Sequence, residues 1–238
     1  AKIDSVFVQR LKFLEKLQSR YSLFITAFGD RLELENIKVK LREFYGKRNE
    51  KVLYTSYAHF IPLDELKELP SEENLWVLLQ ETPYHTIIPT KEILEAPLEF
   101  KEAYLDSCYC TYIKSALPKD WKRELGRLLD LEGFIAYAYW KLLLEEIEVI
   151  SHGFKPRFIK IKEINLRNIC ALLELKWEDI EKFIKQSELS MFIRELKIAH
   201  LKLVKNEARK ASLSPIFLYY YLLLAKNERD NLHKIIIG

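Results

Sequence analysis

Glu33-Leu-Glu-Asn36-Ile37 sets an acid, an asparagine and a large apolar residue at positions i, i+3 and i+4. The same small pattern returns as Asp130-Leu-Glu-Gly133-Phe134 and as Glu228-Arg-Asp-Asn231-Leu232. Asn36 and Gly133 are 97 positions apart and Gly133 and Asn231 are 98 apart, so the spacing holds while the residues between have drifted. On a helix, residues three and four apart share a face. Each copy therefore places an acid, a small or amide residue and an apolar side chain together. A regular spacing of this kind is read as a repeat before any other feature is weighed.

The flanks agree with that reading. Ile61-Pro-Leu63-Asp-Glu-Leu66-Lys-Glu-Leu69 runs in step with Ile164-Asn-Leu166-Arg-Asn-Ile169-Cys-Ala-Leu172. After a two-residue length change, Glu73 to Thr82 lies over Glu178 to Ser187. Each unit then reads as a signature helix, a short apolar helix, a helix ending in Thr or Ser, and a long helix leading to the next signature.

Local signals place these elements. Asp4 is positioned to cap a helix to about Arg20, with Val6, Leu11, Leu14 and Leu17 as its apolar stripe. Residues 23 to 28 form a short segment that stops at Gly29. Asp30 followed by Glu33 reads as a capping box for a helix through Tyr45 that ends at Gly46. Five prolines between positions 62 and 97 cut that stretch into short helices, with Ser71 and Thr90 as caps. Long helices are expected at about 98 to 116 and 119 to 148, then at 164 to 175, 178 to 186, 189 to 210 and 215 to 237. Ser151 to Pro156 is the clearest break, and the alternation from Arg157 to Lys162 also fits a short strand. The fold class is all-α, built of repeated helical units.

Composition narrows function by exclusion. With 38 basic and 35 acidic residues the net charge is only +3, so no overall field argues for DNA, RNA or an acidic membrane. The abundance of Lys, Glu, Leu and Ile favours helices and points to a thermophilic source. Three cysteines, with Cys108 and Cys110 two apart, fit a reducing compartment. No leader is expected, and no apolar run reaches the roughly 20 residues that span a bilayer.

Nor does any motif carry chemistry. His59, His85, His152, His200 and His233 are scattered, without zinc spacing, and no Gly-rich phosphate loop occurs. Residues two apart on a helix point away from each other, so Cys108 and Cys110 are packing residues rather than a thiol pair. Aromatics cluster on the long helices at Tyr109, Tyr112, Tyr137, Tyr139, Trp140 and Tyr219 to Tyr221, as core or as anchors of protein contacts. Glu33, Asn36, Glu228 and Asn231 are expected to cap or join helices inside each unit, while Gly133 permits close backbone approach. The catalytic, cofactor and metal residues are expected to be none.

The chain resembles the C subunit of the archaeal and bacterial A/V-type rotary ATPases, whose counterpart in the eukaryotic vacuolar ATPase is the d subunit. Asn36-Ile-Lys-Val-Lys-Leu41-Arg42, Leu79-Gln-Glu-Thr82-Pro-Tyr84, Leu98-Glu99 to Leu105-Asp106, and Tyr219 to Leu232 carry the resemblance. Gly133 stands where the family prefers Asn, and Gly153-Phe-Lys-Pro156 replaces its Gly-rich turn. The resemblance implies three helical units about a pseudo-threefold axis, forming a funnel. Residues 1–46 are the remainder of the first unit, 47–148 the second and 149–238 the third. It implies a non-catalytic central-stalk socket that couples the central shaft to the membrane rotor ring during hydrogen ion transport or ATP synthesis. Its partners would be the shaft proteins and the ring, on the cytoplasmic side of the membrane and peripheral to it. No nucleic acid, small-molecule substrate or direct membrane insertion is expected. The alternative reading is an all-helical adaptor, or a nucleic-acid-binding protein, unrelated to the ATPase.

Overall fold

A computed structural model describes residues 2–17, 19–46, 54–144, 151–159, 164–210 and 214–237. Helix dominates, and no strand forms among the described residues. Residues 157–159 are bends, so the first half of the alternating stretch is not extended, and the rest lies outside the described residues.

The chain divides into two compact units. One combines Ala1–Ala116 with Ala225–Gly238, and the other is Leu117–Leu224. The boundaries expected after residues 46 and 148 fall inside these units. The physical reason is that each signature helix holds the chain that follows it, so the helix and its downstream segment belong to one body.

In the first unit, α1 (Lys2–Leu17) packs on α2 (Ser22–Gly29), which passes almost without interruption into α3 (Arg31–Phe44). Gly46, at φ +64°, closes α3 in the left-handed conformation that glycine adopts without a Cβ penalty. Prolines then cut the chain as expected into α4 (Leu63–Glu68), α5 (Glu72–Leu78) and α6 (Thr90–Glu95). Ser71 does cap α5, its Oγ accepting the Asn74 N–H, whereas Thr90 is the first residue of α6 and makes no cap bond. α7 (Leu98–Ser115) completes this part and packs on α3. On α1 the buried apolar residues are Phe7 and Leu11, while Val6 and Leu17 are exposed, so the expected stripe is rotated.

The second unit opens with a single 3-10 turn at Lys119–Trp121, so α8 (Leu125–Leu143) starts later than 119; positions 145 to 148 lie outside the described residues. α9 (Leu166–Leu172), α10 (Trp177–Lys185) and α11 (Leu189–Lys210) follow. α12 (Pro215–Ile237) gives its first turns to this unit and its remainder to the other. α4 and α9 begin at residues aligned by the repeat, 63 and 166, and so do α5 and α10, at 72 and 177. The aromatics Tyr109, Tyr137, Trp140 and Tyr219 are buried, which makes them core.

Candidate functional site

The two first signature acids do the same job. Glu33 is buried, and its Oε1 accepts the backbone N–H groups of His59 (2.8 Å), Phe60 (2.8 Å) and Ile61 (3.0 Å). Asp130 is likewise buried and accepts the N–H groups of Arg157 (3.2 and 3.1 Å) and Phe158 (2.8 Å). In both copies the acid reaches backbone 26 to 28 residues downstream. That chain would otherwise leave part-buried N–H groups without an acceptor. Neither carboxylate caps its own helix. Asp30 has helical backbone angles and makes no cap bond, because α2 already supplies the acceptors that a capping box would replace.

Asn36 strengthens the first clamp. Its Oδ1 accepts the Thr55 N–H at 2.7 Å, and its Nδ2 donates to the carbonyls of Thr55 (3.2 Å) and Tyr57 (2.9 Å). Gly133 is buried at the matching place in the second copy and has no side chain to do this.

A further repeated residue escapes a reading of the sequence alone. Gly29 and Gly126 each stand four positions before the acid; the held segment presses on Gly126, while at Gly29 Leu11 of α1 comes closer (2.8 Å) than the held segment does. A Cβ on Gly126 would lie 2.3 Å from the Phe158 ring, and one on Gly29 would lie 3.2 Å from the Tyr57 hydroxyl. The signal is legible as a Gly-x-x-x-acid pattern in two copies; the third has Leu224 there.

The third signature does not share this arrangement. Glu228 is exposed and pairs with Arg10 at 2.5 Å. Asn231 is exposed, with no side-chain hydrogen bond among the described residues. The work falls instead to the residue between them. Arg229 is buried and binds Asp4 (2.7 Å), Glu35 (2.7 Å) and Asp230 (3.1 Å). Asp4 is thereby corrected from a helix cap to a buried partner, and it also meets His233 Nε2 at 2.9 Å. Burial alone would raise the Asp4 carboxyl, but hydrogen bonds from Arg229 and His233 hold it below the usual range. Substituting Asn36 with Ala is therefore expected to cost about 2–4 kcal/mol by stranding buried backbone groups. Asn231→Ala should stay within about 0.5 kcal/mol. Equal losses in urea denaturation would contradict this division of roles.

Asp30 gathers a polar cluster in the first unit. Fully buried, it accepts the hydroxyls of Tyr57 and Tyr112 at 2.7 Å each, and His59 Nδ1 lies 3.0 Å from Oδ1. Tyr84 donates to the Asp30 carbonyl at 3.1 Å. Burial first, and then the Asp30 charge, push both Tyr57 and Tyr112 well above the ordinary tyrosine value, so they stay protonated donors. The arrangement holds chain segments together.

The remaining candidates are structural too. Burial pushes the Cys108 thiol up to about 12 and the Cys170 thiol up to about 11, which leaves little thiolate to react. Among the described residues no group of three or more His, Cys, Asp or Glu could hold a metal ion, and no helix is long and apolar enough to cross a membrane. Lys101 is fully buried between Glu72 (2.6 Å), the Tyr45 hydroxyl and the Leu94 carbonyl. Between α1 and the end of α12 runs an apolar cleft of about 320 Å³, lined by Ile3, Val6, Phe7, Leu232 and Ile236.

In the second unit, His200 is buried and its Nε2 lies 3.0 Å from the Leu128 carbonyl, to which a neutral ring donates. Burial lowers its affinity for a second proton below the ordinary value of 6.5. The unfolded chain therefore takes up that proton first, and stability is expected to fall as pH drops below about 6.5 and to be flat above it, with a limiting slope of about 1.4 kcal/mol per pH unit. Denaturation of wild type and His200→Gln between about pH 5 and pH 7.5 checks this: the slope should be smaller in the variant. An unchanged slope would assign it elsewhere.

Compared with known proteins, the chain matches no family model, no curated protein and no solved structure.

Proposed function

We propose that this chain is a non-catalytic coupling component of an A/V-type rotary ATPase, seated between the central shaft and the membrane rotor ring on the cytoplasmic side. The observation that carries the reading is the recurrence of one acid-to-backbone clamp, its acids 97 residues apart, followed in each copy by helices whose first residues align. It supports a chain built by repetition of a stiff helical unit. In this reading the units stand about a pseudo-threefold axis and enclose a funnel that grips the shaft tip, so that torque passes through packed helices rather than through a reaction.

Two features favour a mechanical role over an enzymatic one. Glu33 Oε1, the Asn36 amide and Asp130 are spent on backbone, and the large exposed apolar side chains of Phe13, Leu17, Ile235 and Ile236 offer surface for contact. The test is a pull-down of the purified chain with the shaft proteins and with the solubilised ring, beside ATP and single-stranded nucleic acid. Retention of shaft or ring, weakening with salt for the shaft because exposed pairs are screened over about 10 Å at 0.1 M, is the expected result. Nucleic acid retained while both ATPase parts wash through would overturn the proposal.

A further inference from the structure

Phe13, Leu17, Ile235 and Ile236 belong to one larger face of the first unit. On α1, Val6, Phe13 and Leu17 stand at i, i+7 and i+11, positions that return to one side of a helix. Val6 shares the apolar cleft with Leu232 and Ile236, so the stripe on α1 and the end of α12 make one surface. These six side chains are between 41% and 77% exposed, whereas Phe7 and Leu11 of the same α1 are buried. A contiguous apolar surface marks contact with a protein or a membrane. The charges beside it decide which.

Lysine stands next to three of the six. Lys12 precedes Phe13, Lys16 precedes Leu17 and Lys234 precedes Ile235, so each exposed ammonium lies roughly a quarter-turn of helix from an apolar side chain. Arg20, in the turn after α1, is exposed as well. The acids nearby are answered inside the chain. Glu228 pairs with Arg10 at 2.5 Å, Asp4 and Asp230 pair with Arg229, and half-buried Glu15 accepts the Thr26 hydroxyl. The small net charge of the whole chain hides this local positive sign.

A second copy of the chain would set one positive face against another, so the surface that fits is acidic. A protein partner gains direction from hydrogen bonds across an interface. Arg10, Glu228 and Arg229, the polar side chains of the cleft, are already engaged within the chain, and packing protein over the exposed Glu228 would strip its water. Lipid asks for neither. We propose that this face adsorbs to a bilayer surface carrying anionic lipid. Its apolar side chains enter the headgroup boundary by about 5–10 Å, while the lysine stems bend back and leave their ammonium groups among the phosphates. Such a face lies on the bilayer, and no described helix needs to span it. The inference stands apart from the rotary reading and does not require it.

Co-sedimentation of the full chain with vesicles of phosphatidylcholine, alone or mixed with phosphatidylglycerol, tests this. The mixed vesicles should retain the chain at low salt and release it as salt rises, and the neutral ones should retain far less. Lys12→Gln, Lys16→Gln and Lys234→Gln should each weaken binding about fivefold. Lys202→Gln, an exposed lysine of α11, should change it little. Phe13→Ser combined with Leu17→Ser should weaken it by about tenfold or more. Both positions are exposed, so circular dichroism and melting should match the wild type. No retention on the mixed vesicles, or retention that the Phe13 and Leu17 variant keeps, would overturn the proposal. So would capture of a shaft or ring protein that this variant loses while vesicles bind neither form; that result would give the face to a protein and leave the rotary reading standing.

Discussion

Replacing Arg229 with Ala should lower the stability of the unit formed by Ala1–Ala116 and Ala225–Gly238 by about 3–5 kcal/mol, the cost of stranding one side of a buried ion pair. Asp4 would lose its guanidinium partner in a buried site, and Glu35 would lose its bidentate partner. Urea denaturation followed by exchange of the α1 amides measures the loss. If the expected mechanism holds, Asp4→Leu combined with Arg229→Met should be less destabilising than Arg229→Ala alone, because no buried charge is then orphaned. A loss below about 1 kcal/mol would place the network among screened surface pairs, which contribute that little.

The second large effect separates the two clamps. Glu33→Ala leaves three backbone donors without an acceptor and Asp130→Ala leaves two, and each stranded buried donor costs about 1–3 kcal/mol. Glu33→Ala should therefore lose about 3–5 kcal/mol and Asp130→Ala about 2–4 kcal/mol. The amide variants should rank in the opposite order. Glu33→Gln keeps the single oxygen that takes every bond, and should cost under about 1 kcal/mol. Asp130→Asn turns one of two working acceptors into a donor facing an N–H group, and should cost about 2 kcal/mol or more. Thermal denaturation of the four variants decides it, and equal losses for the two amide variants would mean that the clamps are satisfied in the same way.

The clamps also show where sequence reasoning stops. A capping box at Asp30 and Glu33 is a fair reading of an acid followed three residues later by Glu. It fails because α2 runs almost directly into α3, so the N–H groups a cap would serve are already taken. Asp4 fails as a cap in the same manner, since its partner Arg229 lies 225 residues away. Treating Glu228 and Asn231 as equivalents of Glu33 and Asn36 rests on spacing. Their exposure follows from the face of α12 that packs, which presents Arg229 inward.

What the sequence determined by itself was local. Gly46 ended α3, Ser71 opened α5, the prolines cut residues 62 to 97 into short helices, and the repeat aligned the first residues of α4 with α9 and of α5 with α10. Such features depend on backbone preferences and on side-chain bonds within one turn, and those are written in neighbouring residues. Only the tertiary structure decided which distant backbone each buried carboxylate holds, how many of its oxygens find donors, and which face of α12 is covered. A buried charge is disposed of by whatever donors the fold brings within about 3 Å, and that proximity belongs to packing rather than to spacing along the chain.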